Sequence, residues 1–385
     1  MTASALTRPG QRERVSSKLT QLDWRLALLL LIIGGLGTTM LYSVAGLSWE
    51  PWAGAHLFRF VTLFFVMLGL ALVDLRVWFR AAYPFYFVCL LLLIAVEVVG
   101  EVRMGAQRWL DLGFTSLQPS EPMKLAIVLA LARWYHGQKA EAARFHWKLI
   151  VPALMIGVPS ALVMHQPDLG TAMLLIFTGA AVMFAAGLSW KIVFTAVAGF
   201  AAMVPPVFMF VLHEYQRNRV LTFLNPEADP SGTGYHITQA KIAAGSGGLL
   251  GKGLGLGSQS QLNFLPEKQT DFIFSATAEE LGFVGAFAVL LIFGLIIATC
   301  LRIASVSHSH FGRLAVLGVT STLACYVLIN AAMVLGMAPV VGVPMPLMSY
   351  GGSVMMTVMI GFGLIMGVRV HRYQELPKAS RNWFI

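Results

Sequence analysis

The chain returns again and again to apolar stretches too long for a soluble core, and that constrains its fold before any motif is considered. A hydrocarbon layer needs about 20 consecutive, mostly apolar residues per helix, because each backbone N–H and C=O must find its partner within the segment. Such stretches fall at 24–47, 56–73, 83–99, 119–135, 148–164, 169–187, 192–212, 272–301, 314–337 and 351–368. They predict an all-α, polytopic integral membrane protein of about ten transmembrane helices. Composition agrees, since 57% of the 385 residues are hydrophobic and only 12% are charged, outside the range of soluble domains. The first run is longer than the roughly 7–15 residues of a signal-peptide core and further spans follow it, so it reads as an uncleaved helix.

Lys and Arg placement orients the spans, because cytoplasmic loops hold the excess of positive residues. Arg8, Arg12, Arg14 and Lys18 precede the first span. Arg76, Arg80, Arg133, Lys139, Arg144, Lys148, Lys191, Arg302 and Arg313 then recur on the same side, and Arg369, Arg372, Lys378 and Arg381 close the chain. Both termini are expected in the cytoplasm, with 1–23 and 369–385 as tails around a single transmembrane domain at 24–368.

Two outer loops break the charge rule. Residues 100–117 carry Arg103 and Arg108, and the long loop 213–270, between the seventh and eighth spans, carries Arg217, Arg219, Lys241, Lys252 and Lys268. Outer cations suit an anionic ligand, although a loop as long as the second is exempt from the rule. The net charge of +9 is scattered over loops rather than interleaved with aromatics, which gives no nucleic-acid surface. Cys89, Cys300 and Cys325 all lie in apolar spans, where neither a disulfide framework nor a metal spacing can be read.

The long loop keeps aliphatic and aromatic residues throughout and is expected to hold structure. Asn225-Pro226 and the run 229–232 are turn signals, and 236–244 predicts a short helix on the bilayer surface. The glycine-rich run 245–257 fails as a phosphate loop, since Ser246 stands where the first Gly belongs and Gly253 where Ser or Thr would bind magnesium. Its amides and Lys252 either meet an anion or its glycines simply permit sharp turns; spacing favours the turns.

Carboxylates beside or within the spans are the candidate chemistry. Glu121 and Lys124 share a helix face at i,i+3 after Ser120, a candidate cap. They read either as a helix-start ion pair or as the charged wall of a cavity. Asp168, in HQPDLGTA, reads as a helix cap, and His165 lacks companions for a zinc site. Asp271 stands in PEKQTDFIFSATAEELG, where the polar loop meets an apolar helix. Capping fits it too, but Ser275 and Ala278 lie near its face, Glu279 is within reach, and a basic loop precedes it. Glu280 points the other way, toward packing or a partner. GVPMPLMSYGGS, at 342–353, breaks helix at Pro344 and Pro346 and reads as a tight re-entrant turn or a cavity lining.

Taken together, GAQRWLDLG (105–113), QPSEPMKL (118–125), QPDLGTA (166–172), GTGYHITQAKIAAGSGGLLGKG (232–253), SQSQLNFLPEKQTDFIFSATAEELG (258–282) and GVPMPLMSYGGS resemble the SEDS family, the shape, elongation, division and sporulation group. The likeness covers nearly the whole chain. AAGSGGLLGKG and SQSQLNFLPE resemble the elongation branch of the family more than the division branch. The resemblance implies a peptidoglycan glycosyltransferase of the bacterial cytoplasmic membrane that polymerises lipid II on the outer face during cell-wall elongation. It further implies a class B penicillin-binding protein and the elongation machinery as partners, undecaprenyl pyrophosphate as the released lipid, and the acid of TDFIF, Asp271, as the catalytic residue. One departure is Gln269, where many relatives carry His before the Thr.

The reaction sets physical demands. The 4-hydroxyl of an acceptor sugar attacks the anomeric carbon of a lipid-pyrophosphate-linked glycan with inversion, and a base must take its proton. A free Asp, with a pKa of about 3.9, is a weak base at neutral pH, whereas partial burial in a cavity wall improves it. The leaving pyrophosphate needs cations, for which Arg108, Lys124, Arg217, Arg219, Lys241 and Lys252 are candidates, with a divalent cation as candidate cofactor. Trp109, Glu121, Gln239 and Glu279 complete the expected substrate-contacting set. Rival readings are a lipid II flippase, a non-catalytic scaffold for the penicillin-binding protein, and a division-type polymerase.

Overall fold

The computed structural model describes residues 15–103, 106–111, 113, 116–138, 146–211, 217, 221–223, 225 and 233–377. Arg219 lies outside the described residues, as do parts of the long loop and the two tails. A short α1 (Val15–Thr20) leads into α2 (Trp24–Val44), α3 (Ala53–Ala71) and α4 (Leu75–Val99). Strands β1 (Glu101–Arg103), β2 (Ala106–Asp111) and β3 (Ser116–Leu117) follow, then α5 (Ser120–His136), α6 (His146–His165), α7 (Leu169–Ala185) and α8 (Trp190–Pro206), which runs into a π-helical segment, Val207–Val211. The chain continues through α9 (Thr233–Ser246), α10 (Ser258–Gln261), α11 (Ile273–Val306), α12 (His310–Val334) and α13 (Gly352–Val370).

Side chains start several of these helices. Asp23 accepts from the Leu26 amide, Asp74 from Arg76, Asp168 from Thr171 and Ser309 from Gly312, each occupying one of the amides a helix start leaves without a partner. Ser120, a candidate cap by sequence, is instead the first helical residue of α5, and Pro119 before it supplies no side-chain cap.

Among the described residues, seven helices are long and apolar enough to cross a membrane: α2, α3, α4, α6 (from Lys148), α11, α12 and α13. The predicted spans at 119–135, 169–187 and 192–212 correspond to α5, α7 and α8, each 17 residues long. The chain is thus a mostly helical, polytopic membrane protein. It is not wholly α, because the 100–117 loop forms a small antiparallel meander ordered β1-β2-β3, in which Glu101 pairs with Trp109 and Leu110 with Leu117. Between two helices, this ladder gives loop amides and carbonyls partners that a short irregular segment would lack.

Burial sorts the helices into a centre and a ring. In α5, every residue from Met123 to Ala132 is buried, and α12 and α13 are also mostly buried. A helix that is apolar all round belongs inside. Helix α3 lies along α13, α4 along α5, and α7 and α11 along α12. The ring helices turn Phe58, Phe65, Phe87, Leu91, Leu154 and Phe194 outward, the surface that lipid tails cover.

The 34-residue α11 is two helices. At Gly282 the backbone leaves the helical region, with φ 69° and ψ −168°, and the glycine-rich loop fills the break. Lys252 and Gly253 donate to the carbonyls of Glu279 (3.1 Å) and Glu280 (3.0 Å), while Phe283 and Val284 donate to Gly248 (2.9 Å) and Leu249 (3.1 Å). Gly251, at φ 81°, lies so close to the Glu280 carbonyl that a Cβ there would collide with it. The loop is therefore a close-packed backbone ladder. Helix α9 includes the predicted 236–244 segment and buries Ile237, Ala240 and Ala243 against α11 and α12.

This packing predicts a graded response to added methyl groups. Gly248→Ala, at φ 56° in open space, should cost only the left-handed backbone penalty of about 1 kcal/mol. Gly251→Ala should cost a further 1–3 kcal/mol or so through overpacking. Thermal unfolding in detergent compares the two, and equal midpoints would remove the ladder as the reason for the glycine.

Candidate active site around Asp271

The first half of α11 carries Asp271 to one end of the bundle. Residues 272–280 are all buried, while Asp271 itself is half-buried. The helix is capped by Phe272, with no side-chain bond, unlike α7, where the Asp168 carboxylate bonds both the Thr171 amide (3.1 Å) and its hydroxyl (2.9 Å). The two aspartates that looked alike in sequence stand in different surroundings.

What fixes Asp271 is its backbone. The Asn330 side-chain Nδ2 donates to the Asp271 carbonyl (2.8 Å) and to that of Val343 (2.7 Å). Ser349 Oγ donates to the Thr270 carbonyl (2.5 Å) while accepting from the Met345 amide (2.8 Å). The Tyr350 amide donates to the Gln269 carbonyl (2.8 Å). Three successive carbonyls are thus tied to α12 and to the α12–α13 loop, which also sets Gly342 beside the carboxylate. That glycine has φ 72°, and a Cβ on it would lie 3.6 Å from Asp271 Oδ2. Gln269, the departure from the family pattern, donates its side-chain amide to Glu267 (3.1 Å).

The same loop brings in the second candidate cluster. Gly170, at the start of α7, packs so tightly on the Val341 carbonyl that no Cβ fits between them. Two residues earlier, Asp168 meets Arg108 (Nη1 to Oδ2, 3.5 Å) and Gln118 (3.3 Å). Arg108 also donates to the carbonyls of Gln166 (3.3 Å) and Pro167, with its side chain 27% exposed. Ser353 accepts from the Gln118 amide (3.3 Å). Lys241, exposed on α9, lays its side chain across Gly336, at the near end of the loop.

The remaining candidates stand apart. Glu121 and Lys124 are 3% and 1% exposed and close a triad with Tyr326: Lys124 Nζ donates to Glu121 Oε1 (2.6 Å) and to the Tyr326 hydroxyl, which donates to Glu121 Oε2 (2.6 Å). Of the two readings, the ion pair describes this arrangement. Glu279 is wholly buried, accepting from Lys252 Nζ (2.8 Å), Ser258 Oγ (3.2 Å) and the amides of Gln259 (2.9 Å) and Ser260 (3.2 Å). It holds the start of α10, and its neighbour Glu280 holds Ser43, Gly255 and Ser260. Lys268 is buried as well, donating to Ser260 (2.6 Å) and Asn263 (2.8 Å). Burial pulls its pKa below the ordinary lysine value, against the opposing attraction of Glu280. Arg217 donates to the Met209 carbonyl (2.7 Å), and Trp109 on β2 and Gln239 on α9 are half-buried.

Among the described residues no three His, Cys, Asp or Glu side chains converge, so these residues offer a divalent cation no cage of their own. Sequence reading passed over Asn330, Tyr326 and the particular role of Ser349. Asn330 and Tyr326 carried a usable signal, being hydrogen-bonding groups inside an apolar span, where such groups face the protein interior.

The triad makes a stability prediction. Lys124→Met leaves Glu121 buried and uncompensated and should cost about 3–5 kcal/mol, much of which Glu121→Gln in the same chain should restore. Unfolding in detergent measures both. A Lys124→Met protein as stable as wild type would sink the structural reading of the pair.

Residues 21–374 match the FtsW/RodA/SpoVE model, described as cell cycle protein. The peptidoglycan glycosyltransferase MrdB of Escherichia coli K12 is 46% identical over 307 residues, covering 80% of this chain and 82% of that protein. Stage V sporulation protein E of Bacillus subtilis is 34% identical, covering 93% and 100%. A solved chain from a peptidoglycan synthase complex coordinating polymerization and crosslinking superposes with a TM-score of 0.78 at 34% identity, over 92% of this chain and 99% of that one. The rod shape determining protein RodA of Thermus thermophilus gives 0.68 at 30% identity, over 92% and 98%. Matched from residue 21 to residue 374, this chain belongs to the FtsW/RodA/SpoVE family of cell cycle proteins.

Proposed function

We propose that this chain is a peptidoglycan glycosyltransferase that polymerises lipid II during cell-wall elongation, with Asp271 as general base. The observation that carries the catalytic assignment is half-buried Asp271 on a backbone fixed by hydrogen bonds to its own carbonyl and to the two before it, at Thr270 and Gln269. The 46% identity to a peptidoglycan glycosyltransferase over most of both chains supports the activity, and its name MrdB, with the RodA likeness, supports the elongation role. The proposal includes ten spans with α5, α7 and α8 among them, residues 24–368 as one transmembrane domain, both termini in the cytoplasm, and residence in the bacterial cytoplasmic membrane. A class B penicillin-binding protein is the proposed partner, in line with the synthase complex among the structural neighbours.

The proposed step is one displacement. The acceptor 4-hydroxyl forms a bond to the anomeric carbon of the donor sugar as its proton passes to the Asp271 carboxylate. The carbon's bond to the pyrophosphate oxygen breaks, and the electron pair leaves with undecaprenyl pyrophosphate. Fixing the backbone of the base through its carbonyls holds it in place, which reduces the entropy lost on reaching the transition state. Charge for the leaving group comes from Arg108 and Lys241, the two described candidates that flank the α12–α13 loop. Lys241 forms no ion pair among the described residues, and its flexible ammonium reaches as a point charge. Glu121, Lys124, Lys252 and Glu279 act by holding the scaffold.

Glycan polymerisation from purified lipid II, with the cognate penicillin-binding partner present, tests this. Asp271→Asn should lower the rate by about 10²–10⁴, the usual contribution of a general base, at unchanged assembly with the partner. Equal polymer from both proteins would move catalysis elsewhere, and lipid II translocation without polymer would establish the transporter.

The clamp has its own signature. Asn330→Ala should reduce kcat by up to about 10²-fold, the penalty of a misplaced catalytic group, with a smaller change in KM. A pure rise in KM would instead make Asn330 a substrate contact.

A further inference from the structure

The ends of α11, α12 and α13 that lie opposite Asp271 flank an open cleft of about 580 Å³, lined by Ser305, Ser307, His308, Arg313, Arg369, Arg372 and Tyr373 along with Val306. None of these groups serves the proposed reaction. Three guanidinium groups therefore share one cavity. Among the described residues no carboxylate forms an ion pair with any of them. Like charges gathered without a counterion repel one another, and the arrangement is built rather than loose. The His308 amide donates to the Arg372 carbonyl (3.0 Å), the rings of His308 and Tyr373 lie 5.3 Å apart, and the Arg372 guanidinium sits 4.7 Å over the Tyr373 ring. Arg313 donates to the Ser307 carbonyl (3.4 Å).

Position narrows the ligand. The cleft opens where the candidate spans Ile273–Val306, His310–Val334 and Gly352–Val370 all end, which is headgroup depth, and on the side of the molecule where the basic loops lie. Guanidinium forks match phosphate oxygens in pairs, and basic pockets between helix ends on the cytoplasmic side suit acidic headgroups. The exposed Tyr373 ring supplies the amphipathic edge that membrane interfaces favour. A volume of this size accommodates a headgroup rather than a single ion.

We infer that this cleft binds the phosphate headgroup of an anionic lipid from the inner leaflet, far from the reacting sugars. Arg313, Arg369 and Arg372 hold the phosphate, with His308 and the serine hydroxyls around it.

The test titrates the full chain in detergent with fluorescently labelled phosphatidylglycerol, with phosphatidylcholine and inorganic pyrophosphate as competitors. Wild type should bind saturably and prefer phosphatidylglycerol to phosphatidylcholine. Arg369→Gln with Arg372→Gln should weaken binding by about fivefold per charge removed. Arg76→Gln with Arg80→Gln, removing exposed cations outside the cleft, should leave it unchanged. Equal losses from the two pairs would mean diffuse surface charge and overturn the site, as would equal binding of phosphatidylcholine. Pyrophosphate displacing the lipid completely, and binding alone as tightly, would assign the cleft to a soluble phosphate and overturn the lipid. Should the Gln pair unfold, Arg369→Lys with Arg372→Lys decides. A retained preference for phosphatidylglycerol supports the site, and loss of that preference in a folded Lys pair overturns it.

Discussion

A backbone that leaves the helical path inside a membrane protein must find other partners for its amides and carbonyls, and the break at Gly282 organises much of this molecule. In hydrocarbon each orphaned group costs several kcal/mol. The glycine-rich loop answers that demand from both sides of the break, through the pairs between 248–253 and 279–284. Only residues without a Cβ allow the two backbones to approach so closely. Because the loop is fastened there, Glu279 and Glu280 can be buried and saturated by it, and the half-helix that begins just after Asp271 has a fixed place.

The second requirement is met by the α12–α13 loop. It receives Gln269 and Thr270 through Tyr350 and Ser349, places Gly342 beside Asp271, and meets the start of α7 at Val341. Segments far apart in the chain thus converge on one irregular stretch. Irregular backbone at such a place is tolerated where neighbouring protein satisfies it, and here its bonds are also what hold the candidate base. Charged groups elsewhere follow the same economy of pairing. Glu121, Lys124 and Tyr326 close on one another, and Asp168 gathers Arg108, Gln118 and Thr171.

Asp271 was legible in the sequence because it stands at the boundary between a polar loop and an apolar helix, in a motif with a recognisable likeness. Its difference from Asp168 was not. Both precede a helix, and only the structure shows that one carboxylate bonds its own helix start while the other helix is capped without a side-chain bond. Glu279 looked near Asp271 by helical spacing, but the loop that saturates it comes from some twenty residues upstream and spacing carries no account of it. The partners of Lys124 and of the Asp271 backbone, Tyr326 and Asn330, are over fifty residues away in the chain.

The sequence by itself determined the class of molecule, the approximate places of its apolar helices and the family of its motifs, because apolar length acts locally along the chain and needs no partner to be read. Tertiary structure decided which charges are saturated, where the long helix breaks, that a meander interrupts the helices, and which loop holds Asp271. Those outcomes depend on hydrogen bonds and close backbone contacts between distant segments, and such contacts exist only once the helices have packed.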